Sequence, residues 1–112
     1  MFLLEEKIEL NQLYDFYGQL LRPKQRALLE MYYLDDWSLA EIAEHQAVSR
    51  QAIFESLKRA QRALIEFERK LQLVEKHRQR LVLVEQIRQQ AHLNPELADK
   101  LETWLNQLLA ID

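Results

Sequence analysis

The sequence predicts an all-α protein, and three observations carry that prediction. Apolar residues recur at spacings of three and four along nearly the whole chain, the period of a helix with one buried face. Glycine occurs once and proline twice in 112 residues, too few for the frequent turns of a β-sandwich or barrel. Between Arg50 and Gln90 neither occurs, so no local breaker interrupts a helix there. The length suits one folding unit with a modest core. Within it, residues 1–62 read as a helical domain, and residues 63–112 as a helical extension used for packing or dimerisation.

The first helix runs from Leu3 to Leu21, with Leu4, Ile8, Leu13, Phe16, Tyr17, Leu20 and Leu21 on one broad face. Pro23 ends it by disfavouring a helical conformation at Arg22, and suits the first position of a second helix. That helix extends to about Tyr33, with Ala27, Leu28, Met31 and Tyr32 facing inward. Asp35-Asp36 then breaks the pattern, because short polar side chains compete for the backbone. Ser38-Leu39-Ala40-Glu41 reads as a capping box that opens a short third helix, with Leu39, Ile42 and Ala43 buried. Ser49 caps the fourth.

In the fourth helix Ile53, Leu57, Ala60, Leu64, Phe67, Leu71 and Val74 are spaced 4, 3, 4, 3, 4 and 3, a heptad stripe that resumes at Leu81 after Arg78. A continuous helix of about forty residues would be ~60 Å long, more than a small domain can cover. Either it breaks near His77 to Arg80, or a partner helix covers its far half. The last helix has Asn94 as cap, Pro95 at its first position, and an apolar stripe through Leu97, Leu101, Trp104, Leu105, Leu108 and Leu109. It can pack as an antiparallel hairpin or be supplied by a second chain.

Much chemistry is excluded. Gly18 alone cannot build a phosphate loop or dinucleotide fingerprint. Without cysteine there is no disulfide, thiolate nucleophile or sulfur-ligated zinc. His45, His77 and His92 lie in different elements, Asp35-Asp36 reads as a turn, and Glu66 and Glu68 sit on different helical faces. No catalytic residue, metal site or cofactor is therefore expected. No apolar run reaches the roughly 20 residues of a membrane span, and the start turns acidic at once, so a cytoplasmic location is expected.

Residues 38–59 have the layout of a helix-turn-helix. Two serine-capped helices meet at a short turn, Ala43 allows their close crossing, Val48 plugs the turn, and Ile53 and Leu57 anchor the second helix. Ala47 occupies the position where glycine or asparagine is common. A left-handed conformation there costs alanine about 1 kcal/mol or more.

Here the chain resembles known families. Arg22 to Arg62, with its Pro-Lys-Gln-Arg opening and Ser-Leu-Ala-Glu-Ile-Ala, resembles the helix-turn-helix of bacterial sigma-factor region 4, within the winged-helix-like superfamily. The closer resemblance, over about residues 8 to 90, is to the YlxM-type family of small bacterial helix-turn-helix proteins. It is carried by Tyr14-Asp15-Phe16-Tyr17, Leu20-Leu21, Lys24-Gln25, the run from Tyr32 to Glu44, and Val48-Ser49-Arg50-Gln51-Ala52-Ile53. It implies a regulatory protein of the signal recognition particle pathway, with that particle's GTPase or RNA as a partner. Duplex DNA binding is suggested by the fold rather than established for the family.

The residues that would contact DNA are the exposed ones at the start of the fourth helix: Ser49, Arg50, Gln51, Phe54, Glu55, Lys58, Arg59 and Arg62. Arg50 and Gln51 can make bidentate contacts to base edges, whereas Lys58, Arg59 and Arg62 suit phosphates. Glu55 and Phe54 argue the other way, and a single aromatic is no platform for stacking RNA bases. The net charge of −3, a mildly basic centre between two acidic ends, is also a weak electrostatic footprint. The heptad stripe and the last helix predict a homodimer through Phe67, Leu71, Val74, Leu81, Trp104 and Leu105. Three readings stay open: a factor of the signal recognition particle, a dimeric transcription regulator, and a helical interaction module that binds no nucleic acid.

Overall fold

The computed structural model describes residues 4–111, with side chains from Glu9 onward. Leu3 of the expected first helix, and the side chains of Leu4 and Ile8, lie outside the described residues. Six α-helices follow in order: α1 Leu4–Tyr17, α2 Pro23–Leu29, α3 Leu39–Gln46, α4 Arg50–Leu71, α5 Leu73–Ala91 and α6 Pro95–Ala110. No strand occurs among the described residues. The chain divides into two compact units after Gln72.

In the first unit α1, α2 and α3 all pack on α4, which is the central element. Its Ile53, Leu57, Ala60 and Leu64 are buried, as the stripe predicts, and so are Leu10, Leu13 and Tyr17 of α1, Leu28 of α2 and Ile42 of α3. Tyr17 is fully buried, yet its hydroxyl donates to Glu68 Oε1 at 2.5 Å and its ring lies 5.9 Å from that of Phe67. This pairing ties the end of α1 to the last covered turn of α4.

α1 ends four residues earlier than its apolar spacing predicts, and Gly18–Leu20 tightens into a 3₁₀ turn. Gly18 is needed for a close approach: a Cβ there would lie 2.9 Å from Cε2 of Tyr14. The Tyr14 hydroxyl donates to Glu30. Burial, then the bond to the Glu30 carboxylate, pushes the Tyr14 phenol up to about 12.

The second helix departs more from expectation. After α2 the chain widens into a π-turn over Glu30–Leu34, closed by the Asp35 amide donating to the Glu30 carbonyl at 2.9 Å. The extra residue shifts the inward face. Leu28, Leu29 and Tyr33 are buried, whereas Ala27 is exposed and Met31 and Tyr32 are half-buried. A buried hydrogen bond holds the shifted register, with the Gln61 amide of α4 donating to the Tyr33 hydroxyl.

The expected forty-residue helix is not continuous. It breaks at Gln72, which adopts a left-handed conformation (φ 55°, ψ 32°), and α5 then runs unbroken through residues 77–80. The Gln72 amide closes α4 by donating to the Glu68 carbonyl at 2.8 Å. The stripe loses its cover here, since Leu71 is exposed. With no apolar burial left to gain, one helical turn contributes too little to hold Gln72 in register.

In the second unit α6 folds back on α5, as the hairpin alternative expects. Val84, Ala91 and Leu105 form its buried centre. Arg88 spans the hairpin, donating from Nε to Glu102 Oε2 and from an Nη to Asn106 Oδ1, each at 3.1 Å. Asn94 precedes α6 but makes no side-chain capping bond, and Pro95 takes the first position as expected. On the surface of α5 the Arg78 guanidinium hydrogen-bonds Glu75 and holds its carboxyl down at about 2.

Candidate nucleic-acid interface

The two-helix motif is built by its caps. Ser38 Oγ accepts from the Glu41 amide and Glu41 Oε1 accepts from the Ser38 amide, both at 3.1 Å, so the expected capping box is present. α3 ends at Ala47 in the left-handed region (φ 55°, ψ 44°), and the Val48 amide donates to the Ala43 carbonyl at 3.0 Å. Alanine thus takes the strained position that glycine would relieve. Val48 does not plug the turn: it is 46% exposed, because the backbone bonds and the buried Ile42–Ala43 pair already close it. Leu39, expected to be buried, is half-buried. Trp37 braces the motif from outside, with its ring edge-on to His45 at 5.3 Å.

Ser49 caps α4 by accepting from the Ala52 amide at 3.1 Å, which leaves the first turn facing outward. Ser49, Arg50, Gln51, Glu55, Arg59 and Arg62 are all exposed, opposite the buried row of Ile53, Leu57 and Ala60. Gln51 donates to Glu55 at 3.2 Å, which holds the amide along the helix axis. Phe54 is half-buried and lies under the Lys58 ammonium, 5.4 Å from Nζ to the ring centroid. Arg59 donates to Ser56 Oγ at 3.2 Å. Phe54, Glu55, Lys58, Arg59 and Arg62 line one open surface depression of about 350 Å³.

The eight residues singled out in the sequence therefore share one face, with four cations around one carboxylate and a half-covered ring. The aromatic packs under a cation, so it shapes the depression more than it obstructs it. Sequence reading missed the Tyr33–Gln61 bond and the Trp37–His45 stack, which seat the two helices. Gln61 carried a signal, as a polar residue beside the apolar stripe. The residues expected to pair chains separate. Phe67 packs on Tyr17 and Leu105 is 6% exposed inside the hairpin, whereas Leu71, Leu81 and Trp104 are exposed and Val74 is half-buried.

A capped short helix, a tight turn and a second helix with an outward polar first turn, set in an all-α bundle, define a helix-turn-helix protein. Residues 4–104 match the UPF0122 family, described as "Putative helix-turn-helix protein, YlxM / p13 like". The chain belongs to this bacterial family, as its resemblance to YlxM-type proteins implies. Among its relatives, a UPF0122 protein of Geobacillus sp. (strain WCH70) is 48% identical over 86 residues, covering 77% of this chain and 78% of the relative. One of Exiguobacterium sp. (strain ATCC BAA-1283 / AT1b) is 45% identical over 95 residues, covering 85% and 89%. One of Listeria monocytogenes serotype 4b (strain CLIP80459) is 42% identical over 110 residues, covering 98% and 100%. No described helix is long and apolar enough to cross a membrane.

Proposed function

We propose that this protein is a cytoplasmic regulator that binds duplex nucleic acid through the outward face of α4. The observation that carries this reading is the row of exposed Arg50, Gln51, Arg59 and Arg62 with half-buried Lys58 on the helix that follows the turn. In such motifs the second helix enters the major groove, and its first turn meets base edges. Arg50 and Gln51 then read bases, while Lys58, Arg59 and Arg62 hold phosphates. The α4 N-terminus carries no acidic residue in its first turn, so its dipole adds to the attraction for phosphate.

Binding is tested by fluorescence anisotropy with a pool of random duplex DNA across a salt series. Three phosphate contacts give a log–log slope of about −2.7, or roughly 40-fold weaker binding between 50 and 200 mM salt. No binding at low salt would end this reading. The pathway we assign is that of the signal recognition particle, on the strength of the YlxM resemblance. A nuclease-treated pull-down should retain that particle's GTPase if contact is protein-borne and lose it if nucleic acid bridges them. Recovery of neither the GTPase nor its RNA before nuclease treatment would remove the assignment.

Glu55 on the same face and the net charge of −3 favour a second reading, in which α4 docks a protein. In that case Arg50→Ala with Gln51→Ala weakens protein capture and leaves duplex binding undetectable at every salt concentration.

A further inference from the structure

The α5–α6 hairpin has two unlike edges. Along one, Arg88 bonds to Glu102 and Asn106 and seals the seam with polar groups. The other follows from helical geometry. Ile87 and Leu83 lie on the opposite side of the buried Val84 from Arg88, and Leu97, Trp104 and Leu108 lie on the opposite side of the buried Leu105 from Glu102 and Asn106. In an antiparallel pair these two sets fall along the same edge. Each member is substantially exposed, from 41% for Ile87 to 58% for Leu83, with Trp104 at 57%. Together they present about 500 Å² of apolar surface, the upper end of what a monomer leaves uncovered.

We propose that this edge is a self-association surface, occupied by the same edge of a second copy of the chain in a two-fold four-helix bundle. Three features select that occupant. Among the described residues, the unit from Leu73 onward buries only Val84, Ala91 and Leu105 as its own core. Two helices of such length rarely hold together without further cover. Leu97, Leu101, Trp104, Leu108 and Ile111 are spaced 4, 3, 4 and 3, the repeat that interlocks helix with helix. The exposed glutamines 79, 86, 90 and 107 flank the edge, so much of its rim is uncharged. Burying the patch on both copies removes about 1,000 Å² of apolar surface, and the glutamine rim brings the total into the range of specific dimers. The edge is built by α5 and α6 and the candidate interface by α4, so the two proposals are tested on different residues.

The test is sedimentation equilibrium of the full chain, paired with tryptophan emission in a Trp37→Phe background that leaves Trp104 as the sole reporter. The intact protein should sediment at twice its chain mass, and Trp104 emission should shift to shorter wavelength as concentration rises. Ile87→Glu with Leu108→Glu should weaken the dimer by at least ~100-fold, because each copy would bury two unpaired carboxylates. Val82→Glu, an equally exposed apolar site on the far side of α5, should leave the dimer intact, which separates loss of the surface from loss of the fold. A chain that stays monomeric with concentration-independent Trp104 emission would overturn the proposal. So would a dimer that survives the double substitution, or one that Val82→Glu dissociates equally well.

Discussion

Gln72→Gly is the substitution whose sign distinguishes a broken helix from a continuous one. Gln72 is exposed and sits at φ 55°, ψ 32°, so its side chain contributes no packing while its Cβ strains the backbone. A left-handed residue other than glycine costs about 1–2 kcal/mol, which glycine removes. Glycine also frees the unfolded chain by about 0.4–1 kcal/mol, which offsets part of the gain. The net expectation is a stabilisation of about 0.5–1 kcal/mol. In a helix running straight through residue 72, the same change would cost about 1 kcal/mol. Urea denaturation followed by far-UV circular dichroism resolves a difference of that size. Ala63→Gly, inside α4, supplies the control and should lose about 1 kcal/mol. A loss at Gln72 equal to that at Ala63 would refute the break.

Three further outcomes are expected. Ala47→Gly should raise the urea midpoint by about 0.5–1 kcal/mol equivalent, since Ala47 is exposed and left-handed. An unchanged or lowered midpoint would mean that the turn relaxes in solution. Gly18→Ala should lose about 1–3 kcal/mol, because its new Cβ meets the Tyr14 ring that Glu30 holds in place. Tyr14, with its phenol raised to about 12 in the folded chain, contributes stability that is fully present below pH 10 and lost as pH rises from about 10 through 12. Tyr14→Phe should flatten that alkaline decline in the urea midpoint between pH 9 and 11. An equal slope in both proteins would place the titration elsewhere.

The local rules were legible wherever one side chain decides the backbone. Ser38, Glu41, Ser49 and Pro95 do so by capping or by a fixed φ, and each stands where its chemistry predicts. The strain at Ala47 was legible for the same reason, as the wrong residue at a position that turns left-handed. What was not legible depends on contacts between distant residues. The π-turn at Glu30–Leu34 leaves no mark in apolar spacing, because the Tyr33–Gln61 bond that fixes it spans 28 residues. The break at Gln72 involves neither glycine nor proline, and follows from where the bundle stops covering the stripe. The candidate interface was readable as a face, since alternation around α4 separates Ile53, Leu57 and Ala60 from Arg50, Gln51 and Arg62. The packing of Phe54 under Lys58 was not, because an apolar residue on a polar face can point either way.

Duplex binding by α4 is tested most directly by the salt dependence of affinity in the intact protein and in a Lys58→Ala, Arg59→Ala, Arg62→Ala triple variant. With these three cations holding phosphates, the variant's slope should fall by about 2.7 from that of the intact chain, with its fold unchanged by circular dichroism. Identical slopes for the two proteins, or no binding by the intact chain at low salt, would contradict a nucleic-acid interface on this face.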